Sequence, residues 1–390
     1  MSGPTELPAD LLDPTIGPRL AGVLPDVAQS LGHGLEGRAS AGLDLPPSSR
    51  VCVVLCDGLG LDALRARAGH APTLRARLDH TVELVAGYPS TTAASLGSLG
   101  TGVLPGRTGL LGYTVKDPRT QDGLVNLVNL VSWTSGTLPP PDPEAWQPHR
   151  TVFDELVRKG VAVTSVGPAR FAGSGLTQAA LRGGRYVGAE GLAERVDATV
   201  AALRQPGLAY LYWGDVDKVG HHLGWMSPEW SEELAQFDYE LGRLLRRLPR
   251  GTCVVVTADH GMVDVDRLVD LSAHPGLTQD VVLVAGEPRA SHIHLTRQAQ
   301  EDPEPVAQRW RSILGEDAWV LTRAEAVDRG LFGPVDERNA PLIGDLVVAA
   351  RGRVALVDPR TQSAGSLTLV GMHGSLTHEE LAIPALVDVV

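Results

Sequence analysis

The sequence predicts an α/β fold: a doubly wound, mostly parallel sheet sandwiched by helices, with a small α+β insertion. Two observations carry the prediction. Short apolar runs recur along the chain, each bounded by Gly, Pro or Asp, and their apolarity is continuous rather than alternating. Continuous runs belong to strands covered on both faces, as in a parallel sheet. Helical patterns also separate the runs, which gives the strand–helix–strand alternation of a layered α/β protein.

The first run is "VCVVLC" at 51–56, and it ends on Asp57 and a Gly58-Leu59-Gly60 turn. The next are "VAVTSVG" at 161–167, "LAYLYW" at 208–213 and "CVVVTAD" at 253–259. "VVLVAG" at 281–286 and "DLVVAA" at 345–350 complete the set and are assigned to the same sheet. The clearest helix is Ser227–Leu248. Ser227 is its N-cap, Pro228 takes the first position, and Leu234, Phe237, Leu241, Leu244, Leu245 and Leu248 form one apolar stripe. Between them, "HIHLT", "EPVAQRWRSIL" and "AWVLT" read as strand, helix, strand. The expected organisation is therefore a catalytic core at 1–287 and 346–390, with a small α+β insertion at 288–345. The Pro-rich "GTLPPPDPEAWQP" at 136–148 is a surface loop.

Composition narrows the function. A chain of 390 residues, 43% hydrophobic, can bury a sizeable core, but at 4% aromatic it must build that core from Val, Leu and Ala. The formal charge is -12 with no long basic block, so a nucleic-acid duplex is excluded as the main partner. A small phosphorylated substrate fits, because a bound cation reverses the sign of one pocket. No run of about 18 apolar residues is present to span a membrane. The N-terminus shows no basic segment followed by an apolar one, the pattern of a secretory signal. Cys52, Cys56 and Cys253 all fall in apolar runs and read as buried small hydrophobes. A cytoplasmic protein is expected.

Ligands of a doubly wound sheet bind outside the carboxyl ends of its strands. Three such ends carry acids and imidazoles: Asp57 after 51–56, Asp217 and His221 after 208–213, and Asp259 with His260 after 253–257. A single Asp at a strand end is ordinarily a turn former or helix cap. Three successive ends carrying Asp, Asp-x-x-x-His and Asp-His are hard to explain as caps. Carboxylate plus imidazole is a zinc-type donor set, with manganese or iron as alternatives. A hydroxyl is supplied by "GYPSTTAASLGSLGTG" at 87–102, where Ser90, Thr91 and Thr92 precede small residues in a helical pattern. A helix N-terminus favours an alkoxide and a nearby phosphate, and Ser90 or Thr91 is expected to cap the helix instead.

These motifs, in this order, resemble the alkaline phosphatase superfamily and within it the type I phosphodiesterase/nucleotide pyrophosphatase branch. The residues that carry the resemblance are "CDGLG", "YPSTTAASLGSLGTG", "DKVGH", "ADHGM" and "GMHGS", spread over about residues 50–385. The resemblance implies an alkaline phosphatase-like core and two divalent metal ions, zinc first and manganese second. One ion would be held by Asp217, His221 and His373, the other by Asp57, Asp259 and His260. Thr92 would be both ligand and nucleophile, since its ten-residue spacing to Gly102 fits the family pattern without a gap. It also implies a phosphothreonine intermediate, with the Ala93 N–H as a donor to the phosphoryl oxygens.

The sequence departs from the branch around its substrate contacts. Ala93-Ala94-Ser95 stands where the family has Phe-Pro-Asn, and Tyr113 stands where a phosphoryl-contacting Asn belongs. Arg107, Tyr113, Lys116 and Asn126 are candidate substrate contacts. A phosphodiesterase or pyrophosphatase is the leading expectation. A phosphomonoesterase or phosphonate hydrolase comes next, then a non-catalytic metal-binding protein. No C/S-x-P-x-R motif lies at the nucleophile, so a sulfatase is not expected.

Overall fold

The computed structural model describes residues 6–120, 126–360, 362 and 365–390. Its main sheet has seven strands, in spatial order Val82–Val85, Ala382–Val389, Cys253–Thr257, Arg50–Cys56, Gly207–Trp213, Val163–Gly167 and Arg185–Gly188. The last five run parallel to one another. Ala382–Val389 is antiparallel to both its neighbours. Every residue of Cys253–Thr257, and all but the first of Arg50–Cys56, is buried, which explains the unbroken apolar runs.

Register brings three strand ends level. Cys56 lies opposite Trp213, and Leu55 lies opposite Thr257. Asp57, Gly214 and Ala258 therefore leave the sheet side by side, and the acids that follow converge on one crevice. Helices pack in groups around the sheet. Leu192–Ala202 contacts Pro228–Arg247, while Thr92–Thr101 contacts Gly175–Ala180. In the long helix the Ser227 hydroxyl accepts from the Trp230 N–H, and the Leu234, Phe237, Leu241, Leu244 stripe is buried as its spacing requires. Among the described residues, no helix is long and apolar enough to cross a membrane.

A second sheet corrects two strand assignments. Val281–Glu287, Ala290–Leu295, Leu346–Ala350 and Ala318–Thr322 form a separate four-stranded antiparallel sheet, in that order. The runs 281–286 and 345–350 thus belong with the strands between them and not with the main sheet. Leu346–Ala350 is buried throughout, so its pattern matches that of a parallel core strand. One face of this sheet packs on Glu304–Leu314, whose Val306, Ala307, Trp310 and Leu314 join a cluster of their own. All three cysteines are buried and free.

Candidate active site

Each strand end is shaped by a local requirement. Asp57 is no helix cap: the helix that follows, Leu61–Ala66, starts at Gly60 without a side-chain cap. Gly58 has φ +71°, and a Cβ there would lie 2.9 Å from the Asp217 Cα and 2.8 Å from its Cβ. Glycine is what lets the first and second strand ends approach. Asp215–Leu223 is a continuous helix, so Asp217 and His221 share one face at i,i+4. Gly220 does not break it; a Cβ there would lie 2.6 Å from Met262 Sδ, so the glycine serves close packing.

The carboxylates share a pattern. Asp57 Oδ2 accepts from the Tyr212 hydroxyl, and Asp259 Oδ1 accepts the N–H groups of Gly58 and His260 at 3.2 and 3.1 Å. Asp217 Oδ2 lies 3.3 Å from His221 Nε2. The other oxygens, Asp57 Oδ1, Asp217 Oδ1 and Asp259 Oδ2, are buried and make no hydrogen bond; Asp57 Oδ1 and Asp259 Oδ2 each lie 3.4 Å from His260 Nε2. A buried carboxylate oxygen without a hydrogen bond is costly, and three around one crevice make a donor set suited to a cation.

The histidines share a pattern too. Nδ1 of His221, His260 and His373 lies 2.7, 3.0 and 2.9 Å from the carbonyl oxygens of Gly371, Gly261 and Ser90. A carbonyl only accepts, so Nδ1 carries the proton and the Nε2 lone pair is left to face the crevice. This is how metal-binding imidazoles are oriented. The rings of His260 and His373 stack at 3.6 Å.

Donor atoms gather in two clusters. Asp57, Asp259 and His260 each bring one within 4.8 Å of the others, and so do Asp217, His260 and His373. His221 joins the second through Asp217 and lies with its ring 5.1 Å from that of His373. The structure therefore brings together all six acids and imidazoles singled out from sequence, with His260 between the clusters. Thr92 stands beside them, its Oγ1 3.2 Å from His260 Nε2.

Electrostatics follow from burial. Burial, then the charges of Asp259 and Asp217, pushes Asp57 well above the usual carboxylate range. Burial also raises Asp259, with Asp217 adding and His260 opposing. His373 is held well below the usual imidazole range by burial, then by His260 and His221. Burial and the Asp57 charge raise the Tyr212 phenol, which stays protonated as the donor to Asp57.

Thr92 opens the helix Thr92–Thr101, and Thr91 is its N-cap by position only, since the Thr91 side chain makes no capping bond. The first helical bond around the cap is Ser95 N–H to Thr91 C=O, so the amides of Thr92, Ala93 and Ala94 lie at the open helix end. A cleft of about 640 Å³ adjoins Thr92, Asp57, Asp217, His221 and His373. A smaller pocket, walled by Leu96, Val131, Phe171, Leu176, Leu181 and Tyr210, opens beside Thr92 and Tyr212.

Of the four candidate substrate contacts, only Tyr113 lines the cleft. Arg107 pairs with Asp336 at 3.7 Å, and Asn126 is buried between Asp117 and Ser135. Tyr212 escapes sequence reasoning because "LAYLYW" reads as core. Its polar oxygen at a strand end was the only signal.

The family model described as type I phosphodiesterase/nucleotide pyrophosphatase matches residues 51–376. Human ectonucleotide pyrophosphatase/phosphodiesterase family member 5 is 35% identical over 74 residues, which is 17% of this chain and 16% of that protein. Human family member 7 is 35% identical over 80 residues, 18% of each. The matched stretch thus spans less than a fifth of either curated relative. Among solved structures, murine family member 5 superposes with a TM-score of 0.66 at 19% identity, covering 86% of this chain and 87% of that one. Phosphonoacetate hydrolase from Sinorhizobium meliloti, in complex with phosphonoacetate, superposes at 0.65 and 21% identity, covering 87% and 89%.

Proposed function

Because the chain belongs to the type I phosphodiesterase/nucleotide pyrophosphatase family, a family of hydrolases, we propose that it is a two-metal phosphodiesterase or pyrophosphatase acting through Thr92. The observation that carries the reading is the set of three buried carboxylate oxygens that make no hydrogen bond, two of them 3.4 Å from the same His260 Nε2 that Thr92 Oγ1 contacts. Asp57, Asp259 and His260 would hold one divalent ion with Thr92, and Asp217, His221 and His373 the other. Zinc suits the mixed carboxylate and imidazole donors, with manganese second. Bound there, such ions supply Lewis acidity, lowering a hydroxyl pKa and neutralising phosphoryl charge.

The chain's own groups do the rest. Thr92 Oγ1 forms the new bond to phosphorus as the ester or anhydride oxygen leaves in line, and water later cleaves the phosphothreonine. The open amides of the helix start, Ala93 among them, donate to the unreacting phosphoryl oxygens. The imidazoles, fixed at Nδ1, hold their donor atoms in place throughout.

Substrate class rests on the small pocket. Its apolar wall beside Thr92 would accept an organic substituent on the phosphoryl group, whereas a bare third oxygen would meet no Arg among the described residues that line it. A phosphonate hydrolase is the second reading. Among the described residues, Lys218 is the one Lys or Arg lining the cleft, placed to meet the carboxylate of a phosphonocarboxylate. A cytoplasmic location belongs to the same proposal, supported by three buried thiols that form no disulfide. The test is a panel of aryl alkyl diesters, aryl monoesters, dinucleotides and phosphonates assayed with zinc and with manganese. Turnover of none of the phosphoesters would reject the proposal.

A further inference from the structure

The loop carrying His373 is tied down by a buried ion pair outside the active site. Arg289, in the turn that opens the second strand of the smaller sheet, faces Glu380 in the short helix after the His373 loop. Nε and Nη2 donate to Oε1 and Oε2 at 2.7 and 2.8 Å, and both side chains are fully buried. Glu380 also accepts from the Ser375 N–H at 2.9 Å and from the Thr377 hydroxyl. Its backbone carbonyl accepts the Gly261 N–H at 2.8 Å, in the loop that follows Asp259 and His260. Arg289 spends its remaining nitrogen on the Val354 carbonyl.

The network continues to the nucleophile. The Ser375 carbonyl accepts from the Ser90 hydroxyl at 2.7 Å, Gly374 N–H donates to that hydroxyl at 3.2 Å, and Ser90 N–H donates to the Gly374 carbonyl at 3.0 Å. The Ser90 carbonyl in turn fixes His373 Nδ1 at 2.9 Å. Glu380 thus stands behind three segments that bear site residues: its carboxylate holds the His373 loop and, through that loop, the Ser90–Thr92 turn, while its backbone carbonyl holds the loop after His260.

We propose that Glu380 and Arg289 are positioning residues for the reaction, holding the His373 loop and, through Ser90, the Thr92 turn at the spacing the site needs. A buried ion pair is weak evidence for stability, since an apolar pair of similar volume is often as stable or more so. Its function is better sought in what else it holds. Here the carboxylate is the acceptor for Ser375 and Thr377, which no apolar side chain can replace.

That difference gives the test, whose zinc arm rests on the two-metal reading and whose activity arm rests on the phosphoesterase reading. The charge-free double variant Arg289→Leu/Glu380→Leu strands no charge, so it should fold, but it should melt below wild type because the Ser375 N–H and Thr377 hydroxyl lose their acceptor. Its affinity for zinc alone, measured by titration of the full chain, should fall by about 10- to 100-fold at the weaker of two sites, the usual loss when a partner behind a ligand is removed. Its kcat on a diester should fall with it, and KM should change less. Glu380→Gln keeps an oxygen for the Ser375 N–H and should recover part of the zinc affinity. A folded double variant with wild-type zinc affinity and kcat would overturn the inference and leave the pair as scaffolding. If the double variant does not fold, Glu380→Gln decides, and unchanged zinc affinity there would overturn it equally. Failure of the wild type on every phosphoester would reject the functional proposal while leaving the zinc titration to judge the pair.

Discussion

Asp57→Asn should stabilise the metal-free protein, and zinc should cancel or reverse that gain. In the metal-free protein Asp57 Oδ1 is buried without a hydrogen bond, and burial with the Asp259 and Asp217 charges opposes ionisation. Asn keeps the shape and an oxygen for the Tyr212 hydroxyl but removes the charge. Relief of one buried unsatisfied group is worth about 1–3 kcal/mol. A chain of 390 residues unfolds with roughly 0.8 kcal/mol of stability per degree, at about 2.1 cal/mol/K per residue. The chelated variant should therefore melt roughly 1–4 °C above chelated wild type. With zinc, wild type gains about 2.7 kcal/mol per site at a free concentration about 100 times Kd, or roughly 3 °C, and the variant forfeits that gain at one site. Scanning calorimetry of both proteins, with chelator and with zinc, reads all four values. If Asn destabilises equally under both conditions, Asp57 is a structural residue and the metal reading of the crevice fails.

The remaining predictions use the same site. Thr92→Ala should abolish turnover of an aryl diester at near-normal metal content by elemental analysis, whereas Thr91→Ala, which loses no capping bond, should leave most of the rate; equal losses would reject the assignment of the nucleophile. An aryl alkyl diester should be turned over with kcat/KM at least about tenfold above the matching monoester, roughly 1.4 kcal/mol of transition-state stabilisation, and the reverse order would move the protein to the monoesterase class. Gly58→Ala combines φ +71° with a Cβ 2.9 Å from the Asp217 Cα, so it should cost about 1–3 kcal/mol by denaturation and lower zinc affinity. Acidity should act in opposite senses on the two forms. The folded pKa values of Asp57, Asp259 and Glu287 are raised, Glu287 to about 8 by burial, while burial lowers those of His292, His294 and His373. Below about pH 6.5 the two sets oppose each other; above it the imidazoles are neutral in both states, so metal-free stability should fall as pH rises from there through about 8, while zinc-loaded protein should gain stability over that range because its ligands must deprotonate. Melting curves that rise with pH over that range in chelator would contradict this.

Much of the site could be read in the sequence because its chemistry lies at the ends of buried strands. Asp57, Asp217 with His221, and Asp259 with His260 each follow an apolar run directly, so recognising the strand also locates the acid. His373 follows no such run, and only the ordered motif set brings it in. The fold was less legible where strands are covered on both faces for different reasons. Leu346–Ala350 is buried throughout in an antiparallel sheet, so burial alone could not separate it from the parallel core. Ala382–Val389, an antiparallel strand inside the main sheet, carries Pro384, a residue that argues against a sheet interior. Thr91 looked like a cap because Thr caps helices, yet its hydroxyl makes no capping bond here. Arg289 and Glu380 lie 91 positions apart, and no local pattern links a buried pair at that separation.

The central claim is that Thr92 is the nucleophile of a phosphoryl transfer, and covalent trapping tests it most directly. Zinc-loaded protein mixed with an aryl alkyl phosphodiester is quenched in acid before steady state, digested and sequenced by mass spectrometry. An alkyl phosphoryl group is expected on Thr92, formed at the rate of the first aryl release and absent from Thr92→Ala. Steady turnover with no modified threonine, together with an active Thr92→Ala variant, would contradict it.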